Sequence, residues 1–107
     1  MVERIDNVFR ALGDPIRLQM VQALAKAPAT VSELAEPHEM SLAGVSKHIG
    51  VLEASGLIVR EKKGRERICT LRPEALFAAR DWVERYSAFW SEKLDALDAA
   101  LKEEGDE

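Results

Sequence analysis

The sequence predicts a mainly helical single domain with one small β-hairpin and a long helix at its C-terminal end. Three observations carry this expectation. Apolar residues recur at steps of three and four along most of the chain, two β-prone runs meet at Gly64, and neither Gly nor Pro interrupts the stretch from Pro73 to about Glu103. A length of 107 residues leaves room for one core, so residues 1–107 are read as one unit. With 47% hydrophobic and 32% charged residues, the composition matches neither a disordered chain nor a membrane protein.

The elements follow in order. Ile5, Val8, Phe9 and Leu12 mark one face of a short first helix ended by Gly13. Asp14-Pro15 then sets a cap and a proline at the first helical position, and the second helix runs through Ile16, Met20, Val21 and Leu24 to about Lys26, where Ala27-Pro28 stops it. Thr30-Val31-Ser32-Glu33 has the spacing of a capping box and opens a short third helix ending near Glu36-Pro37. Ser41 caps the fourth, whose apolar stripe Val45, Ile49, Leu52 ends at Ser55-Gly56. Its opposite face carries Ala43, Gly44, Ser46, Lys47 and Gly50, with His48 at the margin, small and polar groups suited to lying in a groove. Leu57 to Lys62 and Arg65 to Leu71, joined at Lys63-Gly64, read as a hairpin with a basic tip.

The last helix, Pro73 to about Glu103, would span roughly 45 Å. That is more than the core of so small a domain covers. Its stripe Trp82, Tyr86, Phe89, Trp90, Leu94, Leu97 and Leu101, with Val8 of the first helix, is therefore expected at a homodimer interface. Lining of a pocket for an apolar effector is the rarer use of such a stripe. The acidic run from Glu103 to Glu107 reads as a frayed tail.

Net charge is −4, which speaks against nucleic acid until its distribution is counted. Residues 1–40 carry four basic and six acidic groups, residues 41–72 seven and three, and residues 73–107 four and ten. The middle segment is thus +4, and local sign decides phosphate binding. Residues 30–72, a helix, turn, helix and basic hairpin, have the arrangement of a helix-turn-helix with a wing, whose second helix enters the major groove of double-stranded DNA. Ser46 and Lys47 stand where they can reach base edges or phosphates, with Ser41 and His48 beside them. Ala43 and Leu42 stand where they can meet thymine methyls, although Leu42 reads equally as a core residue. His48 has two readings, a phosphate contact or a hydrogen bond between helices. Lys63, Arg65 and Arg67 of the hairpin are expected on phosphates or in the minor groove, with a solvated strand edge as the alternative.

The runs Ala11-Leu12-Gly13-Asp14-Pro15-Ile16-Arg17-Leu18, Ser41 to His48, Leu52 to Ile58 and Gly64 to Leu71 together resemble the ArsR family of bacterial repressors. The resemblance spans nearly the whole chain. It implies a dimeric winged helix-turn-helix repressor, released from its operator by some signal, including an unidentified small-molecule effector. Metal-sensing members place cysteines in the third helix or paired histidines and carboxylates along the last. Neither pattern is present, and the C-terminal run Trp82 to Leu101 resembles a metal-independent subgroup, with no metal and no cofactor expected.

His38 with Glu36 or Glu39 makes at most a weak oxygen-rich pair. The single Cys69 forms no intrachain disulfide and reads as a strand residue. An enzyme is disfavoured, because there is no glycine-rich phosphate loop, no nucleophile elbow and no paired histidines. A winged-helix module that binds a protein instead of DNA is the alternative the net acidity suggests. No apolar run reaches the roughly 20 residues of a membrane span, and Met1 to Arg10 lacks the apolar stretch of a secretory signal, so the cytoplasm is the expected compartment.

Overall fold

The computed structural model describes residues 4–105, in the order α1 (Ile5–Leu12), α2 (Pro15–Lys26), β1 (Ala29–Thr30), α3 (Val31–Ala35), α4 (Leu42–Ala54), β2 (Ile58–Lys63), β3 (Glu66–Leu71) and α5 (Pro73–Gly105). Residues 1–3, and residues 106 and 107 of the acidic tail, lie outside the described residues.

The starts of α2, α3 and α4 are each fixed by a side chain that satisfies orphan backbone donors, whereas α1 opens at Arg4 with no side-chain cap. The Asp14 carboxylate accepts from the N–H of Ile16 at 2.8 Å and of Arg17 at 3.2 Å, with Pro15 opening α2. At α3 the capping box is complete: Thr30 Oγ1 accepts from Glu33 N–H at 3.1 Å, and Glu33 Oε1 accepts from Thr30 N–H at 2.8 Å. Ser41 Oγ accepts from Gly44 N–H at 3.1 Å and starts α4. That helix ends at Gly56, whose φ of 82° lies where a side chain is strained. There the N–H of Gly56 reaches Glu53 O and that of Leu57 reaches Leu52 O, both at 3.1 Å, the bond pair of a Schellman closure.

Two details of the sheet differ from the sequence expectation. The hairpin turns on Gly64-Arg65, one residue later than expected, with Lys63 paired to Glu66 and Gly64 at a φ of 64°. A glycine with positive φ at the first central position suits a two-residue turn of the II′ kind, and it places Arg65 at the tip. The sheet also has a third strand, β1, in the order β1-β3-β2, with Ala29 opposite Cys69 and Thr30 opposite Ile68. Two residues are too few for an alternating pattern, and Thr30 already reads as a helix cap.

Val8 and Ala11 of α1, Met20, Val21 and Leu24 of α2, Leu34 of α3, and Val45, Ile49 and Leu52 of α4 close on Leu57, Ile58 and Cys69. On α5, among the described residues, only Ala75 and Ala79 are buried with them, so the core stops there. Beyond Ala79 the helix continues to Gly105 with no core beneath it, and the chain measures 70 × 34 × 21 Å. Its radius of gyration is 19.1 Å, whereas a compact domain of this length has about 13 Å. Val8 departs from its expected place at a subunit interface. It is 0% exposed within the chain's own core, and its neighbour Phe9, 37% exposed, is the α1 residue that reaches outward.

Candidate nucleic-acid interface

The outer face of α4 follows from its buried stripe. With Val45, Ile49 and Leu52 inward, Ala43 and Lys47 are exposed and Gly44, Ser46, His48 and Gly50 half-buried. Leu42 is 61% exposed, so its core reading is set aside. The Ser41 hydroxyl is engaged in capping, which leaves its lone pairs partly used. Ser46 Oγ accepts a long bond from Arg60 Nη1 at 3.4 Å. Its hydroxyl hydrogen is thereby left to donate outward, the polarity needed to meet a purine N7.

Arg60 is a brace and not a free cation. While Nη1 meets Ser46, Nη2 pairs with Glu53 Oε1 at 3.1 Å, so β2 is tied at two points to α4. His48 takes the helix-joining reading, its Nδ1 lying 3.1 Å from Arg17 Nη1.

The register sorts the wing by face. Arg60 pairs with Cys69 and Lys62 with Arg67, on the side of the ribbon that carries buried Ile58 and Cys69. Glu61, Lys63 and Glu66 share the opposite side. Of the expected contacts, Arg67 thus belongs with Lys62, Arg65 sits at the tip, and Lys63 lies among acids. Lys62 was not among the expected residues, although parity with Ile58 was the available signal. A cleft of about 320 Å³ opens between α3, α4 and the wing, lined by Thr30, Ser32, Ser46, Arg60, Arg65 and Arg67, with Glu66 as its one acid. Among the described residues, Lys47, Lys62, Lys63, Arg65 and Arg67 form no ion pair, whereas Arg60 and Arg72 do. Unpaired cations around a small-residue helix face can displace counterions from phosphates.

A second surface is apolar. Trp82, Tyr86, Phe89, Trp90, Leu94, Leu97 and Leu101 are between 41% and 61% exposed along α5. Phe9 meets Trp82 edge-on at 5.4 Å between ring centres and Trp82 meets Tyr86 at 4.7 Å, so α1 extends the stripe.

The remaining chemistry-bearing groups stand apart from both surfaces. Burial pushes the Cys69 thiol up, away from the thiolate that reacts. His38 lines a shallow cleft between α2 and α3 with Glu33 and Gln19. Among the described residues no group of three or more His, Cys, Asp and Glu is placed to hold a metal, and no helix is long and apolar enough to cross a membrane.

Residues 12–61 match the model of a family described as helix-turn-helix domain. The HTH-type transcriptional regulator Rv2034 of Mycobacterium tuberculosis is 33% identical over 102 residues, covering 95% of this chain and 92% of that protein. The transcriptional repressor SdpR of Bacillus subtilis is 27% identical over 79 residues, covering 74% of this chain and 88% of that protein. Among solved structures, that of an ArsR family transcriptional regulator, RHA00566, is 41% identical with a TM-score of 0.76, covering 80% of this chain and 94% of that one.

Proposed function

Because this chain belongs to the ArsR family of winged helix-turn-helix transcriptional regulators, we propose that it acts as a homodimeric repressor on an inverted-repeat operator. That it is a DNA-binding regulator and not an enzyme follows from the family. The dimer, the repression and the operator symmetry are our reading. The observation that carries it is the separation of two surfaces: unpaired cations and small polar groups around α4 and the wing, and an uncovered apolar stripe along α5 and Phe9.

In this reading two α5 helices cover each other's stripes, with Phe9 of α1 at the edge. Each α4 enters a major groove while Arg65, Arg67 and Lys62 follow the flanking phosphates. A two-fold dimer demands a two-fold site, with half-site centres about 10 bp apart or a multiple of that. Similarity to a protein named as a repressor supports repression by occupancy of the operator. The cytoplasm is the proposed place of action.

Selection of bound duplexes from a random pool, with light scattering on the free protein, tests the whole reading. We expect a dimer and a palindromic consensus. A monomer at tens of micromolar, or a pool with no consensus, rejects it, and the second result favours a protein-binding module.

A further inference from the structure

One side chain joins the helix that bears Phe9 to the helix that faces the groove. Arg17, half-buried in the first turn of α2, spreads its guanidinium over three acceptors. Nε donates to Ala11 O at 2.8 Å, Nη2 donates to Arg10 O at 3.2 Å, and Nη1 lies 3.1 Å from His48 Nδ1. Arginine has donors only, so Nδ1 must accept and the ring proton resides on Nε2. The two carbonyls belong to the last turn of α1, and that of Arg10 also accepts from the Gly13 N–H at 3.2 Å. From the other side the Asp14 carboxylate holds the Arg17 backbone N–H. His48 is adjacent to Lys47 and two residues from Ser46, and α1 rests on α5 through Phe9 and Trp82.

We infer that Arg17 is a positioning residue for DNA reading: through His48 it sets where α4 sits relative to α1 and α5. The inference rests on α4 being the reading helix and on pairing through α5. In a dimer so built, the separation of the two α4 helices is the sum of two such joints. A planar fork serves three acceptors in fixed directions, whereas a lysine ammonium is a point charge on a flexible stem. Loosening the joint lets α4 shift against the pairing helices. Base contacts in two half-sites at once do not survive such a shift, while phosphate contacts, which carry no sequence information, do.

The experiment uses the full chain and the duplex that the parent selects from a random pool, with a random duplex beside it. Arg17→Lys is expected to keep the parent's dimer in light scattering and to weaken operator binding by about tenfold or more, with less than about a twofold change on random DNA. At position 48 the comparison is between Asn, whose Oδ1 stands as many bonds from Cβ as Nδ1 does, and Gln, whose amide reaches toward Nε2. His48→Asn is expected to bind the operator more tightly than His48→Gln, against the helix preference that favours Gln. Arg17→Lys with His48→Gln should be no weaker than the poorer single variant, since both cut the same link. Should Arg17→Lys fold poorly, the pair at position 48 decides alone. Gln equal to or better than Asn would overturn the inference, because the ring would then act through Nε2 and not through Arg17. Equal losses on operator and random DNA would overturn it as well. A parent with no operator preference would strike the functional reading itself, before any substitution is made.

Discussion

Asp14 shows how much one carboxylate can fix. The backbone N–H of Arg17, foremost, and then that of Ile16 hold its carboxyl below the usual carboxylate range, and Thr30 does the same for Glu33. A depressed carboxylate adds stability above its unfolded value, and that contribution fades as pH falls through the folded value. Acid unfolding should therefore begin as these caps protonate. Asp14→Asn keeps an acceptor but does not titrate, so its stability should change less than the parent's between about pH 5 and pH 2 in urea melts. Identical acid limbs would remove Asp14 from this role, while Asp14→Ala should lower stability at neutral pH as well, since it removes the acceptor altogether. The interface residues make a separable pair of predictions. Ser46→Ala should cost about 1–3 kcal/mol on the selected operator and little on random duplex, provided the hydroxyl reads a base. Arg65→Ala with Arg67→Ala should weaken binding to every sequence in a mobility-shift series, and unchanged affinity would make the wing a solvated edge. Adding Lys62→Ala should deepen the loss where Lys63→Ala does not. The first three of these positions could be picked from residue type and the run of charge alone. Lys62 needs the face of the ribbon as well, which its even spacing from Ile58 along β2 carries and its place opposite Arg67 bears out.

At the scale of elements, the caps explain why the helix starts were legible: Asp14, Thr30 with Glu33, and Ser41 each announce a start by local chemistry that tertiary packing does not alter. Strand β1 was not legible. Its two residues pair with β3 only because α2 delivers them to that edge, a contact across some forty positions that no local pattern encodes. Val8 failed for a related reason, since the helical period gives the apolar face of α1 but not which of its residues the core takes. The length of α5 was legible because nothing in its sequence interrupts it. Its consequence is testable: Leu94→Glu or Trp90→Glu should yield monomers in light scattering and weaken operator binding, with the fold of residues up to Ala79 kept in circular dichroism. A dimer that survives both changes would move the interface elsewhere.

For the molecule as a whole, the net charge of −4 conceals a division between a +4 segment at residues 41–72 and a −6 segment at residues 73–107. Two wings and two α4 helices neutralising about six phosphates would give a log–log salt slope near −5, so binding should collapse above physiological salt. A slope near zero would exclude phosphate neutralisation as the source of affinity. Calorimetric titration with zinc, nickel or cadmium should show no stoichiometric site, and an affinity tighter than about micromolar would contradict that expectation. The overhang of α5 beyond Ala79 has one more consequence, which concerns copy number. A helix that lacks a core of its own is stabilised by its partner's arrival, and such stability is a function of protomer concentration by mass action. The midpoint of thermal unfolding should rise as the protein is concentrated, and operator occupancy should rise with the square of the chain's abundance where monomers prevail. A cell that halves the supply of this chain would then lose more than half of its bound operators, so the exposed stripe gives the regulator a threshold in its own dosage.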